Sequence, residues 1–521
     1  MTLMQKVEKL VRYCGQYQSH GFMMDERNTD AEFHIELPEE KEIRDRIDNI
    51  NIIVLTGEAG DGKSRILRNI GSLLVEKGFS KPCSDFSALA EQDKQELIRR
   101  LRNVADGTSK ERLVVSANVG VFTQAVIQYD FGLMEELTKE REDIHIWNFE
   151  KRNLAEKQEV FYHIMKEFLG YGDKSEQDCA GLSCPCYGKC VYRENIEKLL
   201  SPSGLEGMRT ICNAVYLTGG HITFRELLSL LAYAVTFGED CAERRERAGR
   251  QEDLENVFYY NIFRENNDIL LEKISRMDPA LKRGEYPDCV KTKEEYVKYR
   301  RKRYFEGAEN QYGMLNVDYL PEFYDVLEYM NTRPFHYDTV QDRQPTLQML
   351  KKGIGRMGNR GKSDIGLVVT DTPLILGNKI RTEFMVMQDI GMIWHRYDIQ
   401  IGSVNQPSDH MWNKFYLSYL ARKKDGSRKL ISLLIDYRQF RYLMMFSQDY
   451  YLNRNELTVE EYAVHTFFHK ILEEKEDAYD SIVIRFDEKT EKMCDFSLTV
   501  HSHEDFFTGE QTRTVRIRKE D

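Results

Sequence analysis

The stretch of residues 51–64 reads Asn51-Ile-Ile-Val-Leu-Thr-Gly57-Glu-Ala-Gly-Asp-Gly62-Lys63-Ser64. Its apolar first part is rich in β-branched residues, as expected of a buried parallel strand. Apolar residues then recur at helical spacing from Ile66 to Leu74. A strand, the pattern G-x-x-x-x-G-K-S and a helix, in this order, are the context of a phosphate-binding loop. The sequence therefore predicts an α/β fold with the parallel sheet of a P-loop NTPase.

Each residue type in the loop has a physical reason. Glycines let successive backbone N–H groups turn towards phosphate oxygens, and the helix that follows presents its positive end to the same anion. Lys63 can reach the β and γ phosphates, and the Ser64 hydroxyl can bind Mg²⁺. The motif therefore predicts binding of ATP and Mg²⁺. The predicted nucleotide contacts are Gly57, Glu58, Ala59, Gly60, Asp61, Gly62, Lys63, Ser64 and Arg65.

Hydrolysis also needs an acidic residue, and the usual apolar run followed by Asp-Glu is missing between Ser64 and residue 150. The nearest candidate is Asp85, at the end of a weak predicted strand that starts at Lys81. Asp85 is predicted to lie near the metal. Its alternative role is a turn or a helix cap before the helix near 91–104.

Asn118 ends the apolar run from Arg112, as a polar residue ends the central strand of AAA-type ATPases. There the side chain contacts the γ-phosphate or the attacking water. The alternative is a strand-end turn formed by Asn-x-Gly. A further strand at 144–149 completes at least four β/α alternations, which predicts an AAA-like nucleotide-binding domain over residues 1–155.

Four cysteines, Cys179, Cys184, Cys186 and Cys190, have the spacing C-x4-C-x-C-x3-C. Four thiolates this close can enclose a structural Zn²⁺. An iron–sulfur cluster uses the same ligands, and reduced thiols without metal are the third possibility.

The cysteines lie in a predicted helical lid region, residues 156–360. Thr223 and Glu226 have the spacing of a capping box, which places Arg225 in the first turn of a lid helix. In AAA-type proteins an arginine at this place contacts the nucleotide phosphates. An exposed helix arginine without a function is the alternative.

A basic cluster, Arg300-Arg301-Lys302-Arg303, lies between aromatic residues at 296, 299, 304 and 305. This combination predicts phosphate contacts and base stacking with nucleic acid. The cluster could equally supply an arginine finger to a neighbouring subunit, which implies a homo-oligomer. A solvated helix face is the third interpretation.

From residue 361 the pattern changes to a mixed α/β C-terminal domain, residues 361–521. Helices are predicted at about 411–421 and 458–474, and alternating apolar residues predict strands near the C-terminal end.

Composition sets limits on the protein class. The chain has 521 residues and a net charge of -12, which excludes a protein that is basic throughout. No run of about 18 apolar residues occurs, and the first residues do not resemble a signal peptide, so a cytoplasmic location without membrane association is predicted.

The phosphate loop, Ala117-Asn-Val-Gly120, and the cysteine cluster followed by Thr223-Phe-Arg-Glu-Leu together resemble a known family. It is the DptF family, the ATPase component of bacterial restriction systems that depend on DNA phosphorothioation. The resemblance covers roughly the first 240 residues. It implies a cytoplasmic anti-phage role with protein partners, directed at DNA that lacks the sulfur-modified backbone.

Two hypotheses lead, and a third is weaker. The chain is either an ATPase that acts as a switch or motor in restriction, or a regulatory ATP sensor with little turnover. No nuclease pattern occurs, so DNA cutting would belong to a partner. A P-loop kinase of a small molecule fits poorly, because the helical and C-terminal parts are large.

Overall fold

The computed structural model describes most of the chain, and all structural statements below refer to that part. The described residues are 2–14, 35–139, 141–171, 190–247, 257–264, 268–282, 284, 287, 290–307, 311–332, 335–337, 345–358, 367–368, 373–375, 381–383, 385–388, 393–396, 412–422, 427–448, 459–474, 482–485, 495–504 and 511–519. The chain forms two compact units. The first comprises Met1–Val317 and Gly402–His410, and the second comprises Asp318–Ile401 and Met411–Asp521.

The first unit contains a three-stranded parallel sheet formed by β1 (Ile52–Thr56), β2 (Leu113–Ala117) and β3 (Ile144–Asn148), in the order β2-β1-β3. Every residue of β1 and β2 is buried, as the continuous apolar runs predict. In the register, Thr56 pairs with Ala117 and with Asn148. The segments that follow the three strands therefore begin at one edge of the sheet, on both sides of the loop after β1.

Helices make up most of the first unit. They are α1 (Leu3–Cys14), α2 (Pro38–Arg46), α3 (Lys63–Glu76), α4 (Glu91–Ala105), α5 (Val119–Tyr129), α6 (Phe131–Thr138), α7 (Gln158–Leu169), α8 (Val191–Leu199), α9 (Pro202–Leu217), α10 (Phe224–Thr236), α11 (Cys241–Arg247), α12 (Phe258–Asn261), α13 (Ile269–Arg276), α14 (Lys293–Glu306) and α15 (Gln311–Met314), with short 3-10 helices at Ile47–Asn49, Phe86–Ala88 and Phe149–Lys151.

The core is organised around the sheet. Ile52 and Val54 of β1 pack in one cluster with Val115 of β2, Leu101 of α4 and Phe122 of α5. Side chains alternate along a strand, so Ile53 and Leu55 of β1 face the other side of the sheet. The mixed α/β class that the sequence predicts is confirmed at this level.

The strand predicted after Lys81 is reduced to one parallel bridge between Cys83 and Val115. Pro82 has no N–H donor, and a 3-10 helix starts at Phe86, so the segment cannot extend the ladder.

The predicted capping box at Thr223 is confirmed. The Thr223 side chain accepts a hydrogen bond from Glu226 N, and the Glu226 carboxylate accepts one from Thr223 N, so α10 begins at Phe224. The opposite half of α10 packs against α1, where the Ser229 hydroxyl donates to the Tyr13 carbonyl at 2.7 Å.

The second unit contains antiparallel sheets and helices. Its strands are β4 (Phe335–Tyr337), β5 (Leu367–Val368), β6 (Pro373–Ile375), β7 (Arg381–Glu383), β8 (Met385–Gln388), β9 (Ile393–Arg396), β10 (Lys414–Arg422), β11 (Arg428–Asp436), β12 (Ile482–Arg485), β13 (Asp495–Glu504) and β14 (Gln511–Lys519), and its helices are α16 (Leu320–Thr332), α17 (Pro345–Gly358), α18 (Tyr437–Ser447) and α19 (Val459–Glu474). The strand orders are β11-β10-β9-β4, β14-β13-β12-β8-β5 and β6-β7.

The prediction of a helix at 411–421 is wrong, because this segment forms β10. Phe415, Leu417 and Ala421 are buried on one face, with the period of two that a half-buried strand has. The helix predicted at 458–474 is confirmed as α19.

The boundaries between the two compact units do not coincide with the boundaries of the predicted domains. The boundary predicted at 155/156 lies within the first unit, and the boundary predicted at 360/361 lies within the second. The domain limits at 1–155, 156–360 and 361–521 stay predictions. None of the helices in the described ranges has the length and apolar character that crossing a bilayer requires.

Candidate functional site

The predicted phosphate loop connects β1 to α3 at the carboxyl edge of the parallel sheet. Gly57, Gly60 and Gly62 have φ values of +154°, +103° and +89°, in the region that favours glycine. Helix α3 begins at Lys63 and no side chain caps it. The first N–H groups of a helix have no partner inside the helix, so this terminus offers backbone donors to an anion.

Lys63 extends back over the loop. Its ammonium donates to the Gly57 carbonyl at 2.9 Å and to the Glu58 carbonyl at 2.6 Å. An ammonium has three donors, so these bonds hold the charge above the loop and leave capacity for one more acceptor. Burial lowers the pKa of Lys63, and the nearby Asp61 carboxylate acts in the opposite direction.

Asp61 is fully buried beneath the loop. Its Oδ2 accepts a hydrogen bond from Glu58 N at 2.6 Å, and its Oδ1 lies 2.9 Å from His221 Nε2. Arg152 lies 3.8 Å from the same carboxylate and donates to the Asp61 carbonyl at 2.7 Å. Burial by itself raises the pKa of Asp61, but the hydrogen bond with His221 and the charge of Arg152 outweigh it and lower the pKa.

The sequence analysis included Asp61 only as one of the loop residues and missed its partners His221 and Arg152. They lie 160 and 91 positions from Asp61 along the chain, and no local pattern connects them.

The start of α10 contacts the loop directly. Arg225 N donates to the Gly60 carbonyl at 3.0 Å, and a Cβ atom on Gly60 would lie 3.0 Å from Arg225 Cβ. The Arg225 side chain is exposed, and its Cβ atom lies beside the loop. Arg65 of α3 lies over the Phe224 ring, at 5.8 Å from its centroid. The structure thus brings together the loop, Lys63, Ser64, Arg65 and Arg225.

Asp85 and Asn118 lie beyond the same sheet edge, and both cap helices. Asp85 Oδ1 accepts from Ser87 N at 2.9 Å, and Asn118 Oδ1 accepts from Gly120 N at 3.0 Å. These contacts agree with the alternative interpretations, a turn or helix cap at Asp85 and a strand-end turn at Asn118. The hydrogen bonds of Asn118 with the backbone use its side-chain oxygen. Contact with a γ-phosphate or with the attacking water would therefore use the Nδ2 amide. The charge of Asp85 acts against the effect of burial on the pKa of Lys63. The predicted roles in metal binding and water positioning stay predictions.

Glu150 is a further acidic group at this edge, and the sequence analysis missed it. It follows β3 in the 3-10 helix Phe149–Lys151, whose first residue lies against Gly57, since a Cβ atom there would be 2.9 Å from Phe149 Cβ. Burial raises the pKa of Glu150, and the charges of Glu58 and Asp61 raise it further. The available signal was an acid directly after a parallel strand, where α/β proteins place their ligand sites.

Three of the predicted zinc ligands, Cys179, Cys184 and Cys186, lie outside the described residues. Cys190 is half-buried at the N-terminus of α8. In the described ranges, no group of three or more His, Cys, Asp or Glu side chains could hold a metal ion. The Zn²⁺ site stays a prediction.

The basic cluster lies on α14, and its members differ in environment. Arg301 is 12% exposed and pairs with Asp278 at 2.6 Å, and it also donates to the Tyr260 carbonyl at 2.6 Å. Arg300 donates to the Pro279 carbonyl at 3.3 Å. These two arginines therefore have partners within the fold.

Lys302 and Arg303 are exposed. Tyr304 and Phe305, expected to stack on bases, are buried at 0% and 2% exposure and are not open to stacking. Nucleic-acid contact by the cluster stays a prediction.

The arrangement as a whole can hold an anion against backbone donors and one ammonium, with carboxylates at the same edge of the sheet. A site of this kind suits the charged tail of a phosphorylated molecule and the cation that accompanies it. No family model, no curated protein and no solved structure matches the chain.

Proposed function

We propose that the chain is a P-loop ATPase of AAA-like type. ATP binds to the loop at 57–65 and is hydrolysed, and the protein acts as a switch or motor in a DNA phosphorothioation-dependent restriction system. The observation that carries the proposal is the junction of β1 and α3. There an uncapped helix N-terminus, three glycines of positive φ and the Lys63 ammonium meet.

The residues at the loop fit a nucleotide with Mg²⁺. The triphosphate lies against the amides at the start of α3 and takes the remaining donor of Lys63. Ser64, exposed in the first turn of α3, supplies a hydroxyl to Mg²⁺, and Asp85 is the carboxylate candidate beside it. A bound Mg²⁺ neutralises phosphate charge.

Three further side chains of this chain have roles in hydrolysis. Glu150 accepts a proton from the attacking water, because its raised pKa makes it a stronger base than an ordinary glutamate. Asn118 orients the water through its Nδ2 amide. Arg225, at the start of α10, stabilises the phosphate charge from the lid side.

The alternative function is a regulatory ATP sensor with little turnover. One observation favours it: Asp85 and Asn118, two of the residues expected to act in hydrolysis, already cap helices. In this case the nucleotide changes the contacts between loop and lid, and a protein partner detects the change.

One set of assays separates these functions. ATP binding and phosphate release are measured with purified protein, with and without DNA, beside the Lys63→Ala variant. The ATPase requires binding and release that Lys63→Ala abolishes. Tight binding without release under any condition removes the motor and supports the sensor, and phosphate transferred to a metabolite supports a kinase.

The restriction role implies DNA, protein partners and a cytoplasmic location, and it rests on the family resemblance. Co-purification from cells that carry a phosphorothioation system tests it. Specific partners, and phosphate release that depends on unmodified DNA, are expected. Equal release with modified and unmodified DNA and no partner would contradict it.

The proposed structural Zn²⁺ is tested by metal analysis. The wild type is expected to hold about one Zn²⁺ per chain, and Cys184→Ser/Cys186→Ser to lose it. A metal-free wild type would remove this part of the proposal.

A further inference from the structure

A buried hydrogen bond between Asp61 and His221 joins two parts of the site that are distant in sequence. His221 lies two residues before Thr223, the N-cap of α10, and Asp61 lies inside the phosphate loop. A carboxylate accepts and cannot donate, so His221 Nε2 carries the hydrogen of this 2.9 Å contact. The His221 side chain is 15% exposed and the Asp61 side chain 0%, so water competes little for the hydrogen bond.

On the loop side, Asp61 sets the shape of the backbone. Its carboxylate holds Glu58 N, and it fills the space below Gly57 so closely that a Cβ atom there would lie 2.5 Å from Asp61 Oδ2. The carbonyls of Gly57 and Glu58 are the two groups that hold Lys63. The position of the Asp61 side chain therefore determines where the ammonium lies.

On the lid side, the same contact is reinforced by the main chain. Arg225 N donates to the Gly60 carbonyl, so the start of α10 and the residues before it are fixed to the loop by one backbone hydrogen bond and one side-chain hydrogen bond. Arg152 is a further partner of Asp61, because its guanidinium donates to the Asp61 carbonyl. The same guanidinium lies 3.6 Å from the Glu39 carboxylate of α2.

We propose that His221 is a positioning residue for the phosphate loop: through Asp61 it anchors the loop to the lid helix and holds it in the shape that accepts a triphosphate. This inference rests on the proposed function, because it assumes that the loop binds a triphosphate. His221 itself does not touch the ligand. Without its bond, the buried Asp61 carboxylate loses a partner, and the Gly57 and Glu58 carbonyls no longer hold Lys63 in place.

The test uses inorganic tripolyphosphate, which reports on the loop without contacts to a base or sugar. Its dissociation constant with Mg²⁺ is measured by calorimetry for the full-length wild type, His221→Gln and His221→Leu. The glutamine amide can donate to Asp61, so His221→Gln is expected to bind within about threefold of the wild type. His221→Leu is expected to bind about tenfold or more weakly, the loss that one charged hydrogen bond produces.

A matched control separates positioning from stability. His145, 5% exposed in β3, is a buried histidine of the same unit without a contact to the loop, so His145→Leu is expected to bind tripolyphosphate like the wild type. Thermal melting of each variant shows whether it is folded, and the rescue by glutamine separates the hydrogen bond from the loss of a buried ring.

Two results overturn the proposal. One is a folded His221→Leu that binds tripolyphosphate as tightly as the wild type. The other, which applies if His221→Leu does not fold, is a folded His221→Ala, which also lacks the donor, that binds tripolyphosphate as tightly as the wild type. A wild type that binds no tripolyphosphate, with Lys63→Ala giving the same result, instead contradicts the proposed function itself.

Discussion

At the scale of single residues, the site depends on a few charges placed at one sheet edge. The Lys63 ammonium lies between two loop carbonyls, and the Asp61, Asp85 and Glu150 carboxylates all act on its pKa. Burial lowers the pKa of Lys63, and the charges of these carboxylates oppose that effect. In the proposed hydrolysis, one of the carboxylates takes the proton from the attacking water.

Glu150→Gln tests the assignment of that carboxylate. The substitution is nearly isosteric and removes the base, so phosphate release is expected to fall about 100-fold, while the ATP dissociation constant changes by less than about threefold. Glu142→Gln, at the other end of β3 and exposed, is the matched control and should leave both quantities unchanged. Equal rates of phosphate release for Glu150→Gln and the wild type would exclude this role.

Lys6 predicts a pH dependence of stability in the first unit. It is fully buried in α1, and burial, helped by the charge of Lys9, lowers the pKa of Lys6 to about 7. Below this pKa, Lys6 is protonated in both the folded and the unfolded chain. Between about 7 and the ordinary lysine pKa of 10.5, the unfolded chain binds the additional proton, so the free energy of unfolding rises with pH.

The measurement is the urea midpoint of the first unit at about pH 7 and about pH 9. Lys6→Met is expected to be more stable than the wild type at the lower pH, and this advantage should shrink by about 2 kcal/mol at the higher pH. Lys41→Met, at an exposed position of α2, serves as the control. A stability difference between Lys6→Met and the wild type that does not vary with pH would show that Lys6 does not titrate in this range.

At the scale of elements, the start of α10 and the residues before it are joined to the loop by a backbone and a side-chain hydrogen bond. Gly60 has a φ of +103°, and an added Cβ atom would lie 3.0 Å from Arg225 Cβ and 3.2 Å from Thr223 Oγ1. The loop and α10 therefore fit together without space for a methyl group. A change at Gly60 should affect both nucleotide binding and the attachment of the helix.

Gly60→Ala is expected to weaken ATP binding by about tenfold or more, because the methyl group adds a steric clash to the backbone strain. Gly78→Ala is the matched control. Gly78 also has a positive φ, +76°, but no atom lies within 4 Å of its Cβ position, so this variant should lose stability through strain and keep its ATP affinity. Binding is followed by calorimetry and stability by thermal melting. If both variants bind ATP equally well, the close fit at Gly60 is not needed for binding.

The sequence predicted the elements whose signals are local. The β1–loop–α3 junction and the capping box at Thr223 depend on neighbouring residues, and the structure has both. The segment at 411–421 was predicted to be a helix, but it pairs in antiparallel fashion with β9 and with the strand that follows it, β11, and so forms β10. These partners lie outside the segment, so the segment's own residues do not show the pairing.

The same reasoning applies to the site. The loop residues could be named from spacing, whereas the Asp61–His221 pair depends on a contact across 160 positions. Glu150 was accessible in principle, because it directly follows a strand that the sequence already predicted. Asp85 was named for its type and position, but its contact with Ser87 N could be known only from the local backbone.

At the scale of the whole molecule, the net charge of -12 does not favour non-specific contact with nucleic acid, so DNA would have to meet a local basic surface. Lys302 and Arg303 of α14 are exposed, whereas Arg301 is held by Asp278. Lys302 pairs with Glu306 at 3.6 Å, and Arg303 donates to the Tyr299 hydroxyl, so both charges lie at the surface of α14, where a phosphate group can reach them.

Lys302→Ala/Arg303→Ala is expected to weaken DNA binding several-fold at low salt, with a smaller salt dependence than the wild type, because two phosphate contacts are lost. Lys291→Ala/Lys293→Ala, two exposed lysines at the other end of α14, is the matched control. Fluorescence anisotropy with a labelled duplex measures both variants. An unchanged affinity and salt dependence for the first variant would favour the interpretation of α14 as a solvated helix face.

Calorimetric titration of the full-length protein with ATP and Mg²⁺ tests whether the loop at 57–65 binds ATP. The wild type should bind one ATP per chain with micromolar affinity, and Lys63→Ala should bind at least about tenfold more weakly. Lys77→Ala is the control, since Lys77 follows the same helix at its far end and pairs with Asp48 at 2.7 Å; it should bind like the wild type. No binding to the wild type, or equal binding to wild type and Lys63→Ala, would contradict the account.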